Sequence, residues 1–308
     1  MFIRTVKSAG KLQKLSKFKF SNSNIPKPKP SILTCAITGD VQDQDRVNVP
    51  ITPDQQIEST IKCYKAGATV VHVHVRDENG YPTWKKSIYK KVLDGIKKDC
   101  PEMVVQLSTG NYGRTLEERM ECLELGPDMI SLTPGSVNFR PTRKRADLYI
   151  NTNEEIEKIA QMCLKNNVKP EIAIFDVSMV YMTKLLLDKK LLKLPLKLMF
   201  VLGGHMALPG KRSVLEFLVK ESDEAFGKDN YLWTAVGVGW DHINVQKWTL
   251  EMGGHPRTGF EDTIMVKRGV YAKSNDELCS FIADLSNKMN RPLANATYTR
   301  EQYFNNKI

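Results

Sequence analysis

ATVVHVHV, residues 68–75, is an almost unbroken run of β-branched residues between two amphipathic segments, 53–66 and 85–99. β-Branched side chains favour extended backbone, and an apolar run without alternation is typical of a parallel strand that is covered on both faces. The flanking segments repeat apolar residues at helical spacing. A strand set between two helices predicts a parallel sheet built from β-α units.

The same β-α unit recurs along the chain. Candidate strands lie at 31–38, 68–75, 103–108, 128–133, 170–175, 196–202, 231–238 and 253–260. Candidate helices lie at 53–66, 85–99, 114–125, 152–167, 178–190, 211–226, 243–251 and 275–290. Eight such units favour a (β/α)8 TIM barrel over an open doubly wound sheet, because no G-x-G-x-x-G follows the first strand. The long segments after strands one and four would lie on the face of the barrel that carries active sites.

Residues at the helix ends agree with this division. Thr52-Pro53-Asp54-Gln55 combines an N-cap, a proline at the first helical position and a capping-box glutamine. Gly67 follows the same helix, where a left-handed cap is expected. Cap residues followed by acidic residues also begin the segments at 152 and 275.

Composition indicates a globular protein, with 41% apolar and 26% charged residues among 308. No apolar run is long enough for a transmembrane helix, so we expect no membrane partner. The six cysteines include no C-x-x-C pair. They are interpreted as reduced core residues of an intracellular protein, and not as a disulfide frame or a cysteine metal site.

Positive charge is concentrated at the N-terminus. Residues 1–31 contain eight Lys and Arg residues and no acid, so eight of the +10 net charges lie there and +2 remain for the rest. Basic, hydroxyl-rich and acid-free composition predicts a mitochondrial leader, and hence the mitochondrial matrix, with a disordered tail or an RNA-binding arm as alternatives. The prolines at 26, 28 and 30 form a linker, so we predict a leader over 1–30 and a catalytic barrel over 31–308. The nearly neutral body argues against a nucleic-acid partner.

His72 and His74 are the most informative residues. In a strand, residues two apart point to the same side, so both imidazoles face the barrel interior near the C-terminal end of the strand. Two imidazoles on one face suit a divalent transition metal such as Zn²⁺. The alternative is a pair of core histidines satisfied by their neighbours.

The last candidate strand ends in three charged residues. Glu261 is a candidate third metal ligand, Asp262 a candidate base, and Arg257 a candidate clamp for a carboxylate. Ordinary surface ion pairs are the alternative for each of them. Several other strands end in hydroxyl or glycine residues, which suit a carboxylate or an oxyanion.

These motifs together resemble the β-keto acid cleavage enzyme family, over residues 32–293. The matching stretches are LTCAITG at 33–39, HVHVR at 72–76, QLSTG at 106–110, GSVNF at 135–139, MFVLG at 199–203 and GGHPRTGFED at 253–262. Members of this family condense a β-keto acid with an acyl-CoA, commonly acetyl-CoA. A retro-Claisen step then releases acetoacetate and a new CoA thioester.

The resemblance implies a role for each matched residue. His72, His74 and Glu261 resemble the metal ligands, Asp262 the general base and Arg257 the basic group beside it. We expect the β-keto acid to be bound by Ser108, Thr109, Thr133, Ser136 and Asp176. We expect acetyl-CoA to be bound at Gly203 and Gly204. We also expect a homo-oligomer.

One departure concerns the substrate. Members that act on an amino substrate carry an acidic residue where this sequence has Val41, with Asp40 one residue earlier. The family's glutamate at the end of strand five is similar to Asp176, which is one methylene shorter. We therefore expect a β-keto acid without the amino group. Two other classes stay open from the sequence. They are a metal-dependent hydrolase of the amidohydrolase type, which usually needs further histidines, and a non-catalytic binding protein with the same fold.

Overall fold

The computed structural model describes residues 29–39, 46–110, 113–142, 145–204 and 208–304, with only the backbone at 139–142 and 145–147. Residues 1–28 of the leader predicted over 1–30 lie outside these residues, as do Asp40, Val41 and His205. Among the described residues, no helix combines the length and apolar character that crossing a membrane requires.

Eight parallel strands close into a barrel. They are β1 (Thr34–Ala36), β2 (Val70–Val73), β3 (Val104–Leu107), β4 (Met129–Leu132), β5 (Lys169–Ile174), β6 (Leu196–Gly203), β7 (Tyr231–Val238) and β8 (His255–Thr258). Each pairs with its neighbour in chain order, and β1 closes the barrel against β8 with Thr34 opposite Arg257. The predicted (β/α)8 barrel is confirmed. Its first and last strands are shorter than the sequence suggested.

Helices follow the strands on the outside. They are α1 (Pro53–Lys65), α2 (Lys86–Asp99), α3 (Leu116–Met120), α4 (Asn153–Asn166), α5 (Ser178–Asp188), α6 (Arg212–Phe226), α7 (His242–Glu251), α8 (Asn275–Lys288) and α9 (Ala296–Phe304). The capping box at Thr52 is present as predicted. The helix starts predicted from cap residues near 152 and 275 are also present, with a capping box at Thr152 and the hydroxyl of Ser274 capping α8. The third predicted helix is wrong in its second half, where a 3-10 turn over Glu121–Leu125 ends at the left-handed Gly126 before a proline.

The helix α9 was not predicted, and it covers the N-terminal end of the barrel. Tyr303 of α9 packs against a cluster of side chains from the beginnings of the strands, which includes Ile32, Val70, Val104 and Met129. This cluster closes the bottom of the barrel with apolar side chains.

Three short antiparallel hairpins lie outside the barrel sheet in the described residues. The long segment after β4 is a hairpin of Val137–Thr142 with Arg145–Tyr149, and smaller ones pair Val75–Arg76 with Pro82–Thr83 and Met265–Lys267 with Val270–Tyr271. The predicted loop after β4 therefore has secondary structure of its own. The charged residues at 140–147 interrupt the apolar pattern by which a strand would be predicted.

The six cysteines are buried and free, as predicted. All of them belong to the apolar layer between the strands and the helices. Cys35, Cys63 and Cys279 lie with their sulfur atoms within 4.8 Å of one another, between β1, α1 and α8. Because these residues are far apart in the chain, their proximity could not be read from spacing.

Candidate active site

Three side chains converge at the C-terminal end of the barrel. The side chain of His72 points to the inner side of β2, because its neighbours Val71 and Val73 belong to the apolar layer outside the barrel. His74 follows two residues later, and Glu261 follows β8, with β1 between the two strands. The Nε2 atoms of both histidines lie 3.5 Å from the Oε2 of Glu261. The predicted metal ligands are thus brought together.

Glu261 Oε2 is buried and has no hydrogen-bond partner. A buried carboxylate oxygen without a donor is costly, and a cation between it and two imidazole nitrogens would remove that cost. The three candidate ligand atoms lie within 4.8 Å of one another, and two His with one Glu is a ligand set that Zn²⁺ accepts. These residues therefore fit a divalent metal.

Two glycines let the backbone bring Glu261 into place. A Cβ on Gly259, which has φ +133°, would lie 2.1 Å from the carbonyl oxygen of Ala36. A Cβ on Gly39, with φ +51°, would lie 2.4 Å from Cγ of Glu261. The Glu261 amide then donates to the Ala36 carbonyl at 3.2 Å, which fixes the end of β8 against β1.

Arg257 joins the proposed metal ligand to the proposed base. Its Nε and Nη2 donate to the two carboxylate oxygens of Asp262 at 3.0 Å each, and Nη2 also donates to Oε1 of Glu261 at 2.6 Å. Both Arg257 and Asp262 are fully buried. A bidentate pair of this kind holds the carboxylate in one orientation.

Burial and charge shift the proton affinities at this site. Burial lowers the pKa of His72 to about 3, so its imidazole is neutral at pH 7 and has a lone pair to offer. Burial also raises the pKa of Asp262 to about 6, although the Arg257 guanidinium opposes this. Burial would favour neutral Glu261 too, but His72, Arg257 and His74 hold its pKa well below the usual range. A buried base with a pKa near neutrality is suited to proton transfer.

The residues expected at the ends of β3 and β4 line the same end of the barrel. Ser108, Thr109 and Thr133 are buried. The hydroxyl of Thr109 donates to the Ser131 carbonyl, so it ties β3 to β4. Ser108 Oγ accepts from the Gly110 amide at 3.3 Å, which leaves its proton for another acceptor.

Ser136 and Asp176 line a neighbouring groove of about 550 Å³ after β4 and β5. The Ser136 hydroxyl donates to the carbonyl of Asn151 and accepts from its amide, which closes the neck of the hairpin after β4. Asp176 accepts from the Ser178 amide at 2.9 Å at the start of α5. No described contact joins either residue to the histidines, so they are placed beside the site and not in its centre.

Gly203 ends β6 and Gly204 follows it, with φ of +84° and +61°. A Cβ on Gly203 would lie 2.7 Å from Asp241 Oδ2, so close packing already requires a glycine there. Nothing in this packing bears on CoA.

The other histidines of the described chain have partners elsewhere. His242 lies 3.0 Å from the Gly237 carbonyl and 2.9 Å from the Thr258 hydroxyl. His255 accepts from the Ile32 amide at 3.1 Å. These bonds hold the barrel together and leave neither imidazole in the ligand cluster.

Several polar residues behind the site were not singled out from the sequence. Gln106 on β3 and Glu171 on β5 are buried in the barrel interior, and Arg119 joins the carbonyl of Thr109 to the side chain of Asn151. The sequence signal that could have identified Gln106 and Glu171 is a polar residue at an inward-facing position of an otherwise apolar strand.

Known proteins resemble this chain over most of its length. The profile of the β-keto acid cleavage enzyme family matches residues 30–303. The chain is 37% identical to the 3-oxoadipate:acetyl-CoA acetyltransferase of Cupriavidus necator over 273 residues, which cover 88% of this chain and 94% of that one. It is 35% identical to the 3-keto-5-aminohexanoate cleavage enzyme of Acetoanaerobium sticklandii over 274 residues, 88% of this chain and 96% of that one.

Among solved structures, the binary complex of ObcA with oxaloacetate superposes with a TM-score of 0.71 at 18% identity, covering 83% of this chain and 67% of ObcA. That likeness supports the barrel fold alone. The sequence relatives are transferases and cleavage enzymes, which favours neither a hydrolase nor a non-catalytic binding protein. The resemblance seen in the sequence is confirmed, and the chain belongs to the β-keto acid cleavage enzyme family.

Proposed function

We propose that this protein is a metal-dependent acyltransferase that condenses a β-keto acid with acetyl-CoA and releases acetoacetate and a new CoA thioester. The main support for a bound metal is the Oε2 atom of Glu261. It is buried without a hydrogen-bond partner and lies 3.5 Å from Nε2 of both His72 and His74. Membership of the family and the similarity to the 3-oxoadipate:acetyl-CoA acetyltransferase support the acyl transfer.

Each group of the site has a task in this reaction. Bound between His72, His74 and Glu261, a divalent ion such as Zn²⁺ supplies Lewis acidity toward the keto oxygen of the substrate. Asp262 accepts a proton from the carbon between the keto and carboxylate groups. Arg257 keeps the Asp262 carboxylate oriented toward that carbon through its two hydrogen bonds. Ser108 and Thr133 receive the carboxylate end of the substrate.

Carbon–carbon bond formation and cleavage then balance. The deprotonated carbon attacks the thioester carbonyl of acetyl-CoA, and the CoA thiolate leaves. The thiolate attacks the original keto carbon, and the bond between that carbon and the deprotonated one breaks. The released carbanion takes up a proton and becomes acetoacetate. The residues that we propose for the second substrate are Gly203 and Gly204, and for the pocket of the β-keto acid Thr109, Ser136 and Asp176.

Product analysis tests the proposal. With a β-keto acid, acetyl-CoA and metal, acetoacetate and a new acyl-CoA should form together in equal amounts. Product that forms at the same rate without acetyl-CoA would instead support a hydrolase.

We further propose a β-keto acid that lacks a 5-amino group. An ammonium in a desolvated pocket needs a carboxylate partner, and Val41 cannot provide one. A competition assay between amino and non-amino β-keto acids should favour the non-amino acid. Preference for the amino acid would point to Asp40, and Asp40→Ala should then abolish that preference.

We also propose that the N-terminal segment directs import and that the protein forms a homo-oligomer. The eight basic residues without an acid in 1–31 support import into the mitochondrial matrix. Mature protein from its own cells should begin in or before the proline linker, and a retained Met1 on the abundant form would contradict import. We propose a homo-oligomer in solution, which the mass measured by light scattering would establish or refute.

A further inference from the structure

A row of buried polar side chains runs from His72 into the barrel interior. Nδ1 of His72 lies 2.7 Å from Oε1 of Gln106. Nε2 of Gln106 donates to Oε2 of Glu171 at 2.9 Å. All three side chains are buried, and neither Gln106 nor Glu171 belongs to the proposed ligands or the proposed base.

The strand register builds this row. β2 and β3 pair with His72 directly opposite Gln106. Val105 and Leu107, which flank Gln106 in the chain, belong to the outer apolar layer, so Gln106 points inward. Glu171 on β5 also points inward, because its neighbour Ile172 belongs to the same outer layer. The row therefore begins at His72 on β2 and joins β3 to β5 across the barrel interior, past β4.

The end of the row sets the direction of every hydrogen bond in it. The Glu171 carboxylate accepts, so the amide nitrogen of Gln106 faces it and the amide oxygen faces His72. An amide oxygen accepts only, and Nδ1 of His72 therefore carries the hydrogen. The lone pair of the neutral imidazole is left on Nε2, the atom that lies 3.5 Å from Oε2 of Glu261.

We propose that Gln106 and Glu171 are positioning residues that fix the tautomer and the ring orientation of His72 for metal binding. Partners of this kind behind a metal-binding histidine contribute about 10-fold to 100-fold in metal affinity. The inference rests on the proposed metal site and adds to it two residues that are neither its proposed ligands nor the proposed base.

Three variants separate positioning from general support of the fold. Gln106→Leu removes both bonds of the row, and the Zn²⁺ dissociation constant, measured by competition with a chelator, should rise by up to about 100-fold. Glu171→Gln keeps the size and one acceptor, and the rise should be about 10-fold. Thr69→Val is the matched control, because it removes a buried hydrogen bond of 2.8 Å between Thr69, immediately before β2, and Thr299 on α9, away from the row. Its Zn²⁺ affinity should equal that of the native protein.

A second readout needs no metal. In metal-free protein labelled with ¹⁵N-histidine, long-range ¹H–¹⁵N correlation spectra should show His72 with its hydrogen on Nδ1. In Gln106→Leu the two tautomers should both be populated, whereas Thr69→Val should match the native spectrum. A purely structural role would lower the thermal stability of Gln106→Leu without changing the tautomer or the metal affinity.

The outcomes separate this inference from the metal site itself. If native protein binds Zn²⁺ through His72 and the Gln106→Leu variant binds it equally well, the positioning role is overturned and the metal site stands. If native protein binds no metal at His72, both fall together. Should Gln106→Leu fail to fold, Glu171→Gln decides the matter: native affinity in that variant would overturn the role of the row.

Discussion

Two partly buried carboxylates at opposite ends of the barrel show how structure and function differ. At the N-terminal end, Asp128 Oδ1 accepts from Arg300 at 3.1 Å, and Oδ2 accepts from Lys97 at 2.5 Å and from the Val105 amide at 2.9 Å. At the C-terminal end, Glu261 Oε1 accepts from Arg257, but Oε2 is buried without a donor and points between two imidazoles. A saturated carboxylate ties elements together, whereas an unsaturated one beside two ligands is available to bind.

The largest expected effect is a loss of activity, tested by substituting one aspartate at each end of the barrel. Asp262→Asn removes the proposed base and should lower kcat/KM by about 10²-fold to 10⁴-fold. Asp128→Asn, at the other end of the barrel, should reduce stability and leave kcat/KM close to native. Steady-state kinetics with both substrates measures this. Equal losses of activity in the two variants would remove the distinction between the ends.

The next effect is on stability. Arg257→Met leaves the buried carboxylate of Asp262 without its bidentate partner, and the free energy of unfolding should fall by about 3–5 kcal/mol. Arg212→Met is the control, since Arg212 makes its ion pairs with Glu216 and Glu251 at the surface. It should cost no more than about 1 kcal/mol. Chemical denaturation of the two variants measures the difference, and similar losses would contradict the buried role of Arg257.

A core substitution at the N-terminal end should separate stability from activity. Met129→Ala opens space in the fully buried cluster beneath the barrel, and it should lower the free energy of unfolding by about 2–5 kcal/mol. Because the cluster lies at the end away from the histidines, kcat/KM of the folded protein should be unchanged. A selective loss of activity with native stability would show that this end takes part in the reaction.

The smallest effect is a pH dependence. The pKa of Asp262 is raised to about 6 by burial, and a base must be deprotonated to act. The value of kcat/KM should therefore rise as pH increases through about 6, with a tenfold loss for each unit well below it. The residual activity of Asp262→Asn should lack this limb. A native profile that is flat between pH 5 and pH 7 would rule out Asp262 as the group that titrates.

The sequence predicted what local pattern determines. The strands and caps follow from β-branched runs and from residues such as Thr52 and Gln55, which act within one turn. The helix α9 has no clear apolar stripe, and distant contacts, such as Thr69 with Thr299 and Asp128 with Arg300, hold it in place. Such contacts are not visible in a single segment.

The site was predictable to a similar degree. Spacing in a strand placed His72 and His74 together, and the charged end of the last strand offered Glu261, which the family resemblance also matches. The row formed by Gln106 and Glu171 depends on the closure of the barrel and the register of its strands, because the two residues lie on β3 and β5. Ser136 is matched by motif, yet its hydroxyl is used in closing a hairpin.

The most direct test of the account is an anomalous-diffraction scan at the metal edges, on crystals soaked with acetoacetate. One divalent ion per chain is expected between Nε2 of His72, Nε2 of His74 and Oε2 of Glu261, with acetoacetate beside it, and the His72→Ala/His74→Ala variant should show none. Native crystals from metal-supplemented protein that show no peak at this position, or a double variant that retains stoichiometric Zn²⁺, would contradict the account.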